Sequence, residues 1–174
     1  MINRLTNLFI ILLILGGMFG GYYLANHGPR WELVPPNLTW LDPIYWRSDL
    51  DNMTPEEVVK WSEYQFVNGH VVRSADAFTK EYRDRTVENR KKFEEHWADM
   101  GLRYIIVSWK AERMLDTPEK VVIRTTAVQW AQDLAKKQPL TKVIGVQEYE
   151  LIREGKGWRI ANQKPLYARR LSSR

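Results

Sequence analysis

The longest apolar stretch of the chain lies near its amino terminus. Every residue from Leu8 to Leu24 is apolar, glycine or tyrosine, and no residue from Leu5 to Pro29 carries a full charge. With its neutral flanks, this run reaches the roughly 20 residues that a helix needs to cross the hydrocarbon layer of a bilayer. We therefore predict a transmembrane anchor over residues 1–26.

A cleaved signal peptide is the competing interpretation, because the chain starts with MINR and continues into an apolar core. Tyr22, Tyr23 and Leu24 occupy positions where a cleavage site would place small residues, which favours the anchor. Arg4 and the amino terminus are opposed only by Arg30, a bias that favours a cytoplasmic amino terminus and a domain on the outer side. The rings of Tyr22, Tyr23 and Trp31 would then lie in the headgroup layer.

Four glycines interrupt the predicted anchor. At 100° per residue, Gly16, Gly17, Gly20 and Gly21 fall within an arc of about 140° and form two staggered GxxxG pairs. Such a face lets a second helix approach closely in lipid. We predict helix packing there, either with a second copy of the chain or with a different membrane subunit. The alternative is that glycine is simply common in membrane helices.

Residues 27–53 contain four prolines and three tryptophans but no sustained helical or strand period. We predict a linker that is not flexible, because Pro35 and Pro36 restrict the backbone. Trp31, Trp40, Tyr45 and Trp46 are too many aromatic residues for a solvated tether, so we expect contact with the domain, a partner or the membrane surface. Asn37 and Asn52 begin glycosylation sequons, which matter only in a eukaryotic secretory lumen.

Helical periodicity follows the linker. Thr54, Pro55 and Glu57 form a capping-box pattern that predicts a helix to about Asn68. A longer helix is predicted from Ser74 to Met100, with Gly101 ending it.

The pattern then changes to strand-like segments. RYIIVSWKAERM and VVIRTTAVQW flank the turn DTPEK, and VIGVQEYELIREGKGWRIANQ contains a hairpin loop at residues 154–157. We predict an α+β domain over residues 54–168, with two helices packed on one face of a curved antiparallel sheet of about four strands, and a basic tail over 169–174. Trp158 and Ile160 share one strand face, which we expect to lie in the core.

The composition of the chain excludes several classes of function. The chain of 174 residues has eight tryptophans, no cysteine and a net charge of +5. The absence of cysteine excludes disulfides, thiol catalysis and cysteine-ligated zinc. The positive charge comes partly from the ends of the chain and forms no basic stripe, so we expect no nucleic-acid partner.

Two helices followed by long strands that end in EYELIREGKGWRIAN resemble the cone-shaped domains of the nuclear-transport-factor-2-like (NTF2-like) superfamily. In many of these domains a final hairpin carries a charged-glycine turn followed by Trp, as Trp158 stands here. With one preceding membrane helix and a short cytoplasmic tail, the layout is similar to the bitopic inner-membrane subunits of type IV secretion systems. That resemblance, over residues 53–166, implies a periplasmic domain that acts as an assembly scaffold.

Candidate catalytic residues are few. His27, His70 and His96 show no metal-ligand spacing. Glu148 and Glu150 share a strand face with Ile144, Val146 and Ile152; either they are pocket carboxylates or, as we expect, they lie on the solvent face of an edge strand.

We therefore predict a non-catalytic scaffold or accessory subunit of a membrane complex, with no catalytic, cofactor-binding or metal site. Its predicted contacts with the membrane or other subunits are the glycine face and Tyr22, Tyr23, Trp31, Trp40 and Trp46. The alternative is a membrane-tethered enzyme or small-ligand-binding protein that uses the interior of the cone. An open cavity of about 300 Å³ or more with convergent polar groups would favour this alternative.

Overall fold

The computed structural model describes residues 37–133 and 141–171. The predicted anchor, its four glycines, Tyr22, Tyr23 and Trp31 lie outside these residues. None of the helices within the described ranges is long and apolar enough to cross a bilayer.

The described residues contain helices first and strands afterwards. Short 3₁₀ turns cover Thr39–Leu41, Leu50–Asn52 and Ala75–Ala77. The α-helices are α1 (Pro43–Trp46), α2 (Pro55–Val67), α3 (Val71–Ser74) and α4 (Lys80–Met100), and the strands are β1 (Leu102–Asp116), β2 (Lys120–Asp133), β3 (Thr141–Glu154) and β4 (Gly157–Leu171). This order confirms the predicted α+β class.

Helix α2 begins with the predicted capping box. The backbone N–H of Glu57 donates to the Thr54 hydroxyl at 3.3 Å, and the backbone N–H of Thr54 donates to the Glu57 carboxylate at 2.8 Å. Pro55 occupies the first turn, where a missing N–H costs no hydrogen bond. The start of α2 was therefore predicted correctly.

The long helix α4 starts at Lys80, so the predicted start at Ser74 is wrong. Phe78 is extended and forms a parallel bridge with Ile160 of β4, and the backbone N–H of Thr79 donates to the Ile160 carbonyl at 3.0 Å. This contact with a distant strand interrupts the helical path. At the other end, Gly101 adopts a positive φ of 57° and ends α4 as predicted.

The four strands form one antiparallel sheet in the order β1-β2-β3-β4. The hairpin between β3 and β4 turns at residues 155–156, as predicted. Strand β4 continues through Arg169 and Arg170, which pair with Ile144 and Val143 of β3. These two arginines were assigned to the basic tail.

The core lies between α2 and one face of the sheet. Its buried residues include Val58 and Trp61 of α2, Ile123 of β2, and Trp158 and Ile160 of β4. Trp158 is only 7% exposed, which confirms its predicted place in the core.

Residues 37–53 pack against the domain. Tyr45 and Met53 are buried. The Gln65 amide donates to the Tyr45 carbonyl at 2.9 Å, and the Trp61 indole donates to the Arg47 carbonyl at 2.9 Å. Two partners on α2 therefore fix this part of the predicted linker.

Candidate ligand-binding site

A cavity of about 600 Å³ lies beside the core, between part of the helical layer and the sheet. Strand alternation directs the side chains of Gln129, Gln147 and Tyr149 toward the helices. Glu63 of α2 and Arg90 of α4 line the cavity from the helical side. Residues from distant parts of the chain therefore line the cavity.

Glu63 accepts hydrogen bonds from three strands. The Trp109 indole of β1 donates to Oε2 at 2.7 Å. The Thr125 hydroxyl of β2 and the Tyr149 hydroxyl of β3 donate to Oε1 at 3.1 and 2.8 Å. One carboxylate thus connects α2 to three of the strands beneath it.

Burial raises the pKa of the Glu63 carboxyl, and the three hydrogen bonds oppose this rise. Burial, together with the adjacent Glu63 carboxylate, also raises the pKa of the Tyr149 hydroxyl well above its usual value. The low dielectric of the site favours the neutral form of both groups.

The surrounding network accommodates Glu63 in either protonation state. The Tyr149 hydroxyl lies 2.8 Å from Glu63 Oε1 and 3.0 Å from the side-chain oxygen of Gln147. When Glu63 is ionised, Tyr149 donates to it; when Glu63 is protonated, it can donate to Tyr149, whose own proton then points to Gln147. Rotation of the Tyr149 hydroxyl therefore satisfies the hydrogen bonds of Glu63 in both protonation states.

A β-bulge brings Gln163 into this network. Leu151 pairs with Ile160 and Glu150 pairs with Asn162, so Ala161 is the extra residue in β4. The bulge changes which residues of β4 face the helices, and Gln163 instead of Asn162 lines the cavity. The amide of Gln163 donates to the Gln147 side-chain oxygen at 2.5 Å and to the Tyr149 hydroxyl at 3.3 Å.

Aromatic rings form part of the cavity wall. Phe66 of α2 and Phe93 of α4 stack with ring centroids 6.1 Å apart, and both also contact Trp97 edge-on. Tyr104 of β1 lies 5.3 Å from Trp97, again between centroids. Phe66, Phe93 and Tyr104 line the cavity, which therefore combines apolar walls with polar groups on the sheet.

Comparison of the chain with protein-family models and with curated proteins gives no match. Among solved structures, the intermembrane-space region of the chloroplast protein ARC6 is similar at 16% identity and a TM-score of 0.47, over 69% of this chain and 98% of that one. A putative scytalone dehydratase from Novosphingobium aromaticivorans DSM 12444 is similar at 12% identity and a TM-score of 0.48, over 68% of this chain and 86% of that one. Similarities at this level carry no functional information.

Glu148 and Glu150 lie on the opposite face of the sheet from the cavity. Glu148 pairs with Arg124 at 3.1 Å, and Glu150 pairs with Lys120 at 2.8 Å. The expectation that they are not pocket carboxylates is confirmed. The expected edge position is wrong, because β3 lies between β2 and β4.

The remaining candidates lie at the surface. His70 and His96 are exposed and do not line the cavity. Trp40 and Trp46 are 50% and 66% exposed, and the Trp46 indole donates to the Trp40 carbonyl at 2.7 Å. Within the described ranges, no group of three or more His, Asp or Glu residues is arranged to hold a metal ion.

The residues that build the cavity were not among those predicted from the sequence. Glu63 lies four residues after Val59 and four before Val67, both of which are buried. Residues four apart share one face of a helix, so a carboxylate at this position on an apolar face was the available signal. Its hydrogen-bond partners on three strands had no comparable local signature.

Proposed function

We propose that this domain binds a small organic ligand in the cavity between its helices and its sheet, and that a membrane anchor tethers it. The observation that carries the proposal is an open cavity of about 600 Å³ into which Glu63, Gln129, Gln147 and Gln163 converge. Cavities of about 300 to 1,000 Å³ with apolar walls and a few polar groups are typical of ligand sites. This is the alternative to the scaffold function that the sequence favoured.

We also propose that the domain is NTF2-like. Support comes from its helices, which precede one antiparallel four-stranded meander, and from the open cavity between the two layers. In this arrangement the ligand lies in the interior of the cone.

A variant that fills the cavity tests ligand binding. Thr86 lines the cavity from α4, so Thr86→Trp places a large ring inside it. Arg85→Trp is the matched control, because the Arg85 side chain is 64% exposed on the same helix. Binding of water-soluble biphenyl and naphthyl amides, alcohols and carboxylates is measured by calorimetry on the full chain in lipid nanodiscs, with empty discs as blanks.

We expect at least one of these compounds to bind the unmodified chain and the Arg85→Trp variant alike. The Thr86→Trp variant should bind it at least about tenfold more weakly, because the added ring occupies the ligand volume. Equal binding by both variants would contradict the proposal, as would the absence of binding to the unmodified chain.

A second candidate function is that of a membrane-anchored, non-catalytic subunit of a larger inner-membrane complex, with its domain in the periplasm. It is favoured by an apolar surface at residues 38–46, where Leu38, Trp40, Leu41 and Trp46 are between 49% and 66% exposed. We call these four residues the aromatic surface. Clusters of exposed apolar residues of this kind are typical of protein interaction sites. In this proposal, another subunit of the complex binds the aromatic surface.

Co-purification after crosslinking in native membranes tests the subunit proposal. The double variant Trp40→Ser, Trp46→Ser should lose crosslinked partners. The double variant Met114→Ser, Leu115→Ser is the control, because these residues are also apolar and exposed but lie on β1. Retention of the same partners by the tryptophan variant would contradict a docking role for the aromatic surface.

A further inference from the structure

Arg90 is a fixed cation on the helical side of the cavity. Its Nη1 atom donates to the Ser74 hydroxyl at 3.0 Å and to the Val71 carbonyl at 3.3 Å. Its guanidinium group lies 4.7 Å from the ring centroid of Phe78. These contacts hold the group in one orientation before any ligand binds.

The guanidinium group has no counter-ion among the described residues. Glu94 is one turn further along α4, the usual position for an ion-pair partner. Its carboxylate instead accepts the backbone N–H of Val72 at 2.6 Å. Glu63 lines the same cavity but forms no ion pair with Arg90, because its oxygens accept from Trp109, Thr125 and Tyr149.

Two donor atoms of Arg90 are therefore available to a ligand. Within the described ranges, its Nε and Nη2 atoms make no hydrogen bond to protein groups. A guanidinium group offers its N–H donors in a planar fork that matches the two oxygens of a carboxylate. Ser74, Thr86 and Asn89 add neutral polar groups on the same helical side of the cavity.

We propose that the ligand of this cavity is an amphipathic organic acid whose carboxylate pairs with Arg90 and whose apolar body lies against Phe66, Phe93 and Tyr104. This inference rests on the proposed ligand-binding function and adds the chemical class of the ligand. The amide groups of Gln129, Gln147 and Gln163 on the sheet side suit a hydroxyl or carbonyl group on the body of that acid.

The test compares an acid with its neutral counterpart. Calorimetry on the full chain in zwitterionic nanodiscs measures the binding of 4-biphenylacetate and 4-biphenylacetamide, which share one ring system and differ in charge. The variants are Arg90→Gln, which removes the charge, and Arg90→Lys, which retains it. Arg85→Gln is the control on the exposed side of α4.

The unmodified chain should bind the acid at least about tenfold more tightly than the amide, the difference expected for one charge-assisted pair. Arg90→Gln should reduce the affinity for the acid to that for the amide and leave the affinity for the amide within about twofold. Arg90→Lys should retain only part of the preference for the acid, because lysine keeps the charge but not the planar fork. A purely structural loss would instead weaken the binding of both probes to both variants.

Equal affinity of the unmodified chain for the acid and the amide would overturn the assignment to an acid and leave the ligand-binding function intact. An unchanged preference for the acid in Arg90→Gln would overturn the role of Arg90 in the same way. Binding of neither probe to the unmodified chain would contradict the ligand-binding function itself.

Discussion

The hydroxyl of Tyr149 donates a hydrogen bond of 2.8 Å to the carboxylate of Glu63, 86 residues earlier in the chain. This bond joins β3 to α2 at the wall of the cavity. It places an ionisable group where burial opposes ionisation but where a tyrosine hydroxyl can serve as donor or acceptor. The same side chains thus join the helical layer to the sheet and line the cavity.

Glu63→Gln should change the pH dependence of stability. The pKa of this carboxyl is raised in the folded state, so its contribution to stability is fully present below the unfolded value of about 4.3 and is lost as pH rises through the folded value. Glutamine cannot ionise, and its amide can donate to Tyr149, whose own proton then points to Gln147. The variant should therefore gain stability relative to the unmodified chain as pH rises from about 4 to 8.

Urea unfolding of the full chain in a mild detergent, followed by tryptophan fluorescence at several pH values, measures this difference. Glu95→Gln is the control, because this substitution also removes one carboxylate but does so at an exposed position of α4. If the stabilities of Glu63→Gln and the unmodified chain differ by the same amount at every pH, burial of the carboxyl does not control its ionisation.

Trp158→Ala should destabilise the domain by about 3 to 5 kcal/mol. The ring is 7% exposed and packs within the core cluster, so its removal leaves a large cavity. Trp46→Ala is the matched control, because that ring is 66% exposed and its loss should cost less than about 0.5 kcal/mol. Equal midpoints of urea unfolding for Trp158→Ala and the unmodified chain would mean that Trp158 contributes little to the core.

Local sequence patterns predicted the elements of this fold well. The capping box at Thr54, the stop at Gly101 and the hairpin at residues 154–157 each depend on residues close together in the chain. The error in the predicted start of the long helix, Ser74 instead of Lys80, has a non-local cause. Phe78 and Thr79 pair with Ile160, a strand residue about eighty positions later, and no local propensity reports that contact.

The cavity was less predictable for the same reason. Gln163 reaches it only because one extra residue at Ala161 reverses the alternation of β4. Glu63 is stabilised by donors on three separate strands, which become neighbours only when the sheet packs on α2. Neither the bulge nor the set of donors to Glu63 can be predicted from residue spacing along the chain.

Gly157→Ala should destabilise the contact between the β3–β4 hairpin and residues 50–52. A Cβ atom at Gly157 would lie 2.7 Å from the Cα atom of Asp51, which is backbone and cannot move independently. Arg159 and Asp51 also form an ion pair of 2.6 Å at this contact. We expect a loss of about 1 to 3 kcal/mol, the usual cost of overpacking.

Gly145→Ala is the matched control for this substitution. Among the described residues, a Cβ atom there would meet only the Gln129 amide nitrogen, at 3.8 Å, which is an ordinary contact. Urea unfolding of both variants measures the difference. Equal stability of the two variants would show that residues 50–52 do not pack on the hairpin in solution.

Gly17→Leu and Gly20→Leu test the glycine face that the sequence predicts in the anchor. Leucine would add a branched side chain where two helix backbones are expected to approach, so assembly with a second membrane helix should weaken. Insertion should be unaffected, since leucine makes the segment more apolar. Met18→Leu is the control, because Met18 lies on the other side of the same predicted helix.

Quantitative co-purification from membranes separates assembly from insertion. We expect both glycine variants to be present in the membrane in normal amount but to recover fewer partners, or fewer second copies, than Met18→Leu does. A tethered ligand-binding domain that acts alone would keep its affinity for a soluble ligand in all three variants. If the glycine variants recover the same partners in full amount, the four glycines have no packing role, and docking through the aromatic surface becomes the better account of assembly.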